Sequence, residues 1–283
     1  MDQVELEPFS HLSSLSMNCT DDFFMTSGFC VDVGLYNVMT GRRMKTFRSL
    51  HQNFINILRF AHRSPHLFAT ASFDHTCKVW DLRDPNIHAD KPAMCCSTET
   101  LNVMCSFAPD DSRLLVSGVD EALKQFDLRM HGQGTSFPVP ATNSSINYRR
   151  SLYMAGGNVV ATVATNESYL RLYDAMTPHR CLGQIDFRNM LLKPQPRSPA
   201  PHRGRRLSFR SSAPHMSRLI RPVSHMSQAD VPTDQDSEGP HVEYLQSLRC
   251  HPSDPSLLGA LVAASEPNPE SYIAAIQLEE ATK

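Results

Sequence analysis

Four times in this chain an aromatic residue followed by Asp or Asn closes a short run of alternating apolar and polar residues. The pairs are Tyr36-Asn37, Trp80-Asp81, Phe126-Asp127 and Tyr173-Asp174, at steps of 44, 46 and 47 residues. Recurrence at so constant a spacing means that one supersecondary unit has been copied. A period of ~40–45 residues made of short alternating runs has room for four strands. One such unit cannot bury its own faces, so the copies must stack. The constraint is therefore architectural: a series of small antiparallel sheets, each covered by its neighbours.

The preceding residues keep the same register. An Asp stands six residues before the aromatic at Asp74 and Asp120, and Glu167 holds that place in the fourth unit. Small residues come before it: Ala71-Ser72, Ser117-Gly118 and Ala164-Thr165. The first unit departs, with Cys30 at that place and Asp32 displaced. The second unit is the most regular. Residues 68–83 read as strand, turn and strand, with Phe73-Asp74-His75-Thr76 as the turn. They contain the only Trp of the 283 residues.

These features resemble the WD-repeat β-propellers. His51 precedes Trp80 by 29 residues, where such repeats place the His of a Gly-His pair, and Leu50 replaces the Gly. The resemblance implies a hydrogen-bonded chain within the blade, of His51, Ser72 (or Thr70), Asp74 and Trp80. The chemistry agrees, since a buried indole N–H needs an acceptor and a buried turn Asp needs donors. His51 and Asp74 are thus expected to fasten the blade rather than to catalyse.

The expected fold is an all-β WD-repeat β-propeller with four recognisable blades and a degenerate fifth, read as an incomplete seven-bladed propeller; upstream truncation is the favoured explanation, beside blades too degenerate to read and a partner that covers the open edge. Blades one to four occupy 1–188 and the degenerate terminal blade 241–283. In the latter, Val242 to Arg249, Leu257 to Ala264 and Ser271 to Gln277 read as strands. Between them, 189–240 reads as a disordered insert. Residues 193–221 hold eight Lys or Arg and no acid, whereas 222–241 carry Asp230, Asp234, Asp236 and Glu238 without a Lys or Arg. So polar a segment buries too little apolar area to offset its ordering entropy. Within it Ser198, before Pro199, and Ser208, after Arg205-Arg206-Leu207, are candidate phosphosites. Arg205 to Phe209 also resembles a cyclin-docking motif, so a kinase or cyclin contact is expected at 193–221.

Composition narrows the function. With 27 Lys+Arg against 29 Asp+Glu, the formal net charge is -2, and nucleic acid is not expected as a partner. No apolar run is long enough for a membrane helix, and the acidic start is unlike a signal peptide. The eight Cys form no CxxC pair and read as free thiols of a reducing compartment, nucleus and/or cytoplasm. No phosphate-cradling loop, metal-ligand spacing or nucleophile–base set is present, so neither enzyme activity nor a metal or cofactor is expected.

One further resemblance points to a function. Phe68 to Arg83 is similar to the sixteen-residue DWD box, known from plant proteins among others, of substrate receptors for cullin-four ubiquitin ligases. It matches at Phe68, Ala69, Thr70, Ala71, Ser72, Asp74, Val79, Trp80, Asp81, Leu82 and Arg83. A second copy runs from Leu114 to Arg129, with Phe126 for the Trp and Gln125 for the aliphatic residue before it. The resemblance implies docking to a ligase adaptor, the large subunit of the damaged-DNA-binding complex, through Trp80, Asp81, Leu82, Arg83 and Arg129. A separate surface would then recruit a target protein. The alternative is a general WD-repeat scaffold in a signalling or chromatin-associated complex.

Overall fold

The structure, a computed structural model, describes residues 12–88, 90–119, 123–130, 134–139, 148–164 and 169–185 in full. It gives the backbone course of 186, 205–206, 220–224, 242–250, 257–264 and 271–278. Every regular element among them is a β-strand. The chain divides into two compact units, Met1–Tyr153 and Met154–Lys283.

In the first unit, β1 (Leu12–Met17), β2 (Phe23–Gly28), β3 (Val33–Asn37) and β4 (Arg43–Phe47) form an antiparallel sheet in chain order. So do β5 (Ile55–Phe60), β6 (Leu67–Ser72), β7 (Thr76–Asp81) and β8 (Met94–Ser97). A third sheet has β9 (Asn102–Phe107), β10 (Arg113–Gly118), β11 (Leu123–Asp127) and β12 (Gly134–Ser136). β13 (Arg149–Tyr153) follows, its Arg149 carbonyl accepting from Ser117 Oγ at 2.9 Å. Each sheet corresponds to one sequence repeat and forms one blade.

In the second repeat the second strand is the most buried of the four, and this explains the small residues before the turn. β6 reads Leu-Phe-Ala-Thr-Ala-Ser and is buried along both faces beyond its first residue. Phe68 and Trp80 pack into a cluster with Met25, Leu35 and Phe47 of the first blade. On the opposite face, Ala69, Ala71 and Val79 join Phe107, Leu114 and Phe126 of the third. A strand sandwiched between two sheets reads as a continuous apolar or small run rather than as an alternating one. The outer strand β12 is exposed throughout.

Hydroxyls and amides stitch consecutive blades. Ser14 Oγ accepts from Leu58 N–H at 3.0 Å, and Ser16 Oγ from Phe60 N–H at 3.0 Å. Asn56 Nδ2 donates to Val103 O at 2.6 Å. The Asp111 carboxylate accepts the backbone N–H groups of His62, Arg63 and Ser64 at 2.7, 2.8 and 3.1 Å. It stands at a positive φ of 59°, a conformation Asp tolerates through local bonding.

Of the described cysteines, Cys77, Cys96 and Cys105 are buried free thiols, Cys30 is half-buried, and Cys19, Cys95 and Cys181 are exposed and free. Burial pushes the Cys96 thiol up to about 12 and Cys77 likewise upward, so both stay protonated and unreactive at neutral pH.

In the second unit, β14 (Val159–Ala164), β15 (Tyr169–Asp174) and β16 (Cys181–Asp186) run antiparallel in succession. A five-stranded sheet follows, made of β17 (Arg205–Arg206), β18 (Ile220–Ser224), β19 (Val242–Cys250), β20 (Leu257–Ala264) and β21 (Ser271–Leu278). Its order is β17-β18-β21-β20-β19. The last three strands fall where the degenerate terminal repeat is read in the sequence. β17 and β18 come from the segment expected to be a disordered insert. There β18 pairs with the edge of β21 that β20 leaves open, supplying partners to backbone groups that would otherwise lack them. The rest of that segment, with Ser198 and Ser208, lies outside the described residues, as do Asp120 and Glu167.

Gly118 marks the closest approach. A Cβ there would stand 2.5 Å from Leu101 O and 2.7 Å from Thr100 Oγ1. Gly118→Ala is expected to destabilise the fold by about 1–3 kcal/mol, read as a lower urea midpoint with an unchanged slope.

Candidate docking site on the blade edge

The β6–β7 hairpin positions the side chains singled out in the sequence. Phe68 pairs with Trp80 and Thr70 with Lys78, so Thr70 is a diagonal neighbour of Trp80 on one face. Trp80 Nε1–H donates to Thr70 Oγ1 at 2.8 Å, and that hydroxyl meets His51 Nε2 at 2.7 Å. His51 Nδ1 meets Asp74 Oδ2 at 2.8 Å. The pattern assigns the protons: the Thr70 hydroxyl donates to Nε2, and Nδ1–H donates to Asp74. Asp74 also accepts from Gln52 N at 3.0 Å, Thr76 N at 2.9 Å and Thr76 Oγ1 at 2.6 Å. The network thus ties the turn, the strand and the loop that enters the blade.

The bridging hydroxyl belongs to Thr70, not to Ser72. Ser72 lies one turn of the pleat further on and serves the turn instead. Its Oγ accepts from Asp74 N at 3.1 Å and donates to Asn53 O at 3.0 Å. In the third blade the indole donor and its acceptor are absent together: counting 46 residues on, Trp80 and Thr70 correspond to Phe126 and Val116. When donor and acceptor vanish together, no buried polar group is orphaned.

Burial pushes the His51 imidazole below its ordinary 6.5, more strongly than the adjacent Asp74 carboxylate raises it. At neutral pH the contact is therefore a hydrogen bond from neutral His to a carboxylate. Burial alone would raise Asp74, but the His51 and Thr76 hydrogen bonds outweigh it and hold this carboxyl well below its usual range. The arrangement has the donors of a catalytic triad without an exposed nucleophile, since Thr70, His51 and Trp80 are all buried.

The other end of the blade is exposed. Ile55 pairs with Ser72, whereas Leu67 pairs with Asp81. The residues after β7 thus lie about 17–20 Å from the network turn, the span of a six-residue strand. Arg83 and Arg129 occupy the same place after β7 and β11, with side chains 71 % and 76 % exposed. Each is held by the Asp two residues earlier. Arg83 bonds Asp81 through its backbone N at 3.0 Å, Nε at 2.9 Å and Nη2 at 2.5 Å. Arg129 bonds Asp127 through the same three atoms at 2.9, 3.0 and 2.7 Å. Those hydrogen bonds lower the Asp81 carboxyl and hold Asp127 at about 2.

Burial separates the rest of the box from this surface. Trp80 is 1 % exposed and meets no partner directly; its ring is committed to the core and to Thr70. Leu82 packs on the cluster around Trp80, and Leu128 on the next one. Asp81 and Arg83 remain accessible, together with Asp127 and Arg129. Sequence reasoning missed Gln52 N and Asn53 O in the turn and the Asp111 staple. In each of these bonds one side is a backbone group, which leaves no residue signature.

Four-stranded antiparallel sheets repeated in series, one of them fastened by a Trp–hydroxyl–His–Asp chain, have the form of the blades of a WD-repeat β-propeller. No family model matches the chain. It is 38 % identical over 180 residues to protein DWD hypersensitive to UV-B 1 of Arabidopsis thaliana, a match covering 62 % of this chain and 22 % of that protein. It is 31 % identical over 102 residues to LEC14B protein of Lithospermum erythrorhizon, covering 36 % of this chain and 21 % of that protein. The matches thus span about a fifth of the length of these curated relatives. The blades and both similarities are those expected of a WD-repeat protein, and the first of these relatives carries the DWD designation in its name.

Two measurements test the network. Thr70→Val leaves the buried indole N–H and imidazole Nε2 without partners and is expected to cost roughly 2–4 kcal/mol in urea unfolding. Ser72→Ala, away from the indole, is expected to cost less. The pH dependence has a fixed sign. A folded pKa depressed below 6.5 means that the unfolded His51 binds more protons in acid, so stability falls as pH drops below 6.5. Asp74 adds a further loss below its ordinary 3.8. Between pH 7.5 and 5.5 the wild type is expected to lose more unfolding free energy than His51→Gln, measured by denaturant titration at each pH.

Proposed function

We propose that this protein is a non-enzymatic substrate receptor of a cullin-RING ubiquitin ligase, docking its adaptor through Arg83 and Arg129. The observation that carries this reading is the repeated placement of the two guanidiniums. They stand at the same end of adjacent blades, highly exposed, and held in the same orientation by Asp81 and Asp127. A scaffold that merely needed solvating charge would not require a matched orientation in two blades.

The reading gains support from the similarity to a relative whose name carries the DWD designation. Arg is suited to the task, since its planar fork makes directional contacts that a Lys cannot. In this reading a second surface recruits a target protein, and the receptor works in the nucleus or cytoplasm. The basic stretch 193–221, with Ser198 and Ser208, would be the place where a kinase or cyclin acts on it.

A pull-down with the ligase adaptor, comparing wild type with the Arg83→Ala, Arg129→Ala double variant, tests the proposal. The wild type is expected to retain the adaptor and the double variant to lose it, with unchanged thermal midpoints. Equal recovery from both would refute docking through these arginines. Absence of adaptor from the wild type would favour a scaffold outside the ligases.

A further inference from the structure

We infer that Asp81 and Asp127 are positioning residues for docking: each turns its Arg into a fixed, charge-neutralised donor that selects a neutral carbonyl group on the partner. This rests on the docking reading above and deepens it by naming the chemistry that is recognised.

Three observations lead there. First, each guanidinium engages its own Asp through Nε and Nη2, one of the two edges by which it could bind a carboxylate bidentately. Nη1 of Arg83 and of Arg129 carries no hydrogen bond among the described residues, so that corner is the one offered to a partner. Second, the turn does not need the arginine. In the first blade, Asn37 Oδ1 caps a turn one residue longer, accepting from Thr40 N at 2.9 Å, with exposed Met39 at the place of Arg83. In the fourth repeat, Asp174 Oδ1 accepts from Met176 N at 2.8 Å, with exposed Met176 at that place. The Asx turn thus forms with or without a guanidinium, and the Asp–Arg bonds are an addition to it. Third, that addition occurs in both blades that carry an Arg, through the same three donor atoms.

The consequence is a selectivity. An arginine alone prefers an acid. An arginine whose charge is already met by an adjacent carboxylate is different, because a second carboxylate at Nη1 would lie close to the first and be repelled. A backbone carbonyl or a carboxamide oxygen accepts from Nη1 without that penalty. The restraint also removes rotamer freedom before binding, which lowers the entropic cost of docking.

The test measures adaptor affinity of the full chain at low and high salt for four proteins. They are wild type, Arg83→Ala with Arg129→Ala, Asp81→Asn with Asp127→Asn, and Arg83→Lys with Arg129→Lys. Asn keeps the oxygen that accepts the Arg83 and Arg129 backbone N–H, so thermal midpoints are expected to match and are measured alongside. The Asn pair is expected to bind at least about fivefold more weakly than wild type, with a steeper salt dependence because its guanidiniums are no longer neutralised. The Lys pair is expected to fail as the Ala pair does. In the free protein, the Arg83 and Arg129 Nε–H signals are expected to exchange faster with water in the Asn pair.

If the Ala pair loses the adaptor while the Asn pair binds as wild type, the positioning role is overturned and docking stands. Tighter binding by the Asn pair would show that the partner presents an acid and would equally overturn it. Wild-type binding by the Ala pair would instead overturn the docking reading itself.

Discussion

The indole N–H of Trp80 lies in a place without water and must find an acceptor within the protein. Much of the second blade follows from that one requirement. Thr70 supplies the acceptor, but its own hydroxyl proton then needs somewhere to go, and His51 takes it. His51 in turn donates to Asp74, and Asp74 is kept ionised by Thr76 and Gln52. Each member is buried or partly buried, so dropping one strands its neighbour at a cost of about 1–3 kcal/mol. The entering loop, the central strand and the turn are therefore fixed together.

Much of this was legible in the sequence, and the reason is physical. Side chains that must be paired recur at fixed spacings in WD repeats, and the resemblance to those repeats is what let His51, Asp74 and Trp80 be read as one chain. The bridging hydroxyl was less legible. Thr70 and Ser72 share a face of β6, and only the pairing of Phe68 with Trp80 puts Thr70 within reach. The Asp111 staple was illegible, because its donors are backbone N–H groups of 62–64, which any residue could supply. The strand β18 was masked by its surroundings of Pro, Ser and Arg. An open edge on β21 accepts a short extended segment whatever its composition.

The box divides along its length into a part that holds the blade and a part that faces outward. Trp80 and Leu82 alternate inward, whereas Asp81 and Arg83 alternate outward, as the pleat requires. The alternation explains how one short motif carries both duties. It also explains how Phe126 substitutes for Trp80 in the next blade while Asp127 and Arg129 keep their places.

The serine hydroxyls of β1 and the side chain of Asn56 bond to the backbone of the following blade and to nothing more distant. Cohesion is thus passed from neighbour to neighbour, as along a chain of links. In such a structure a substitution weakens its own blade and the one beside it, while blades further away keep their stability. The surface after each third strand can consequently diverge one blade at a time. Arg83, Arg129 and Met176 record that freedom: equivalent positions whose chemistry changed without the turns beneath them being rebuilt.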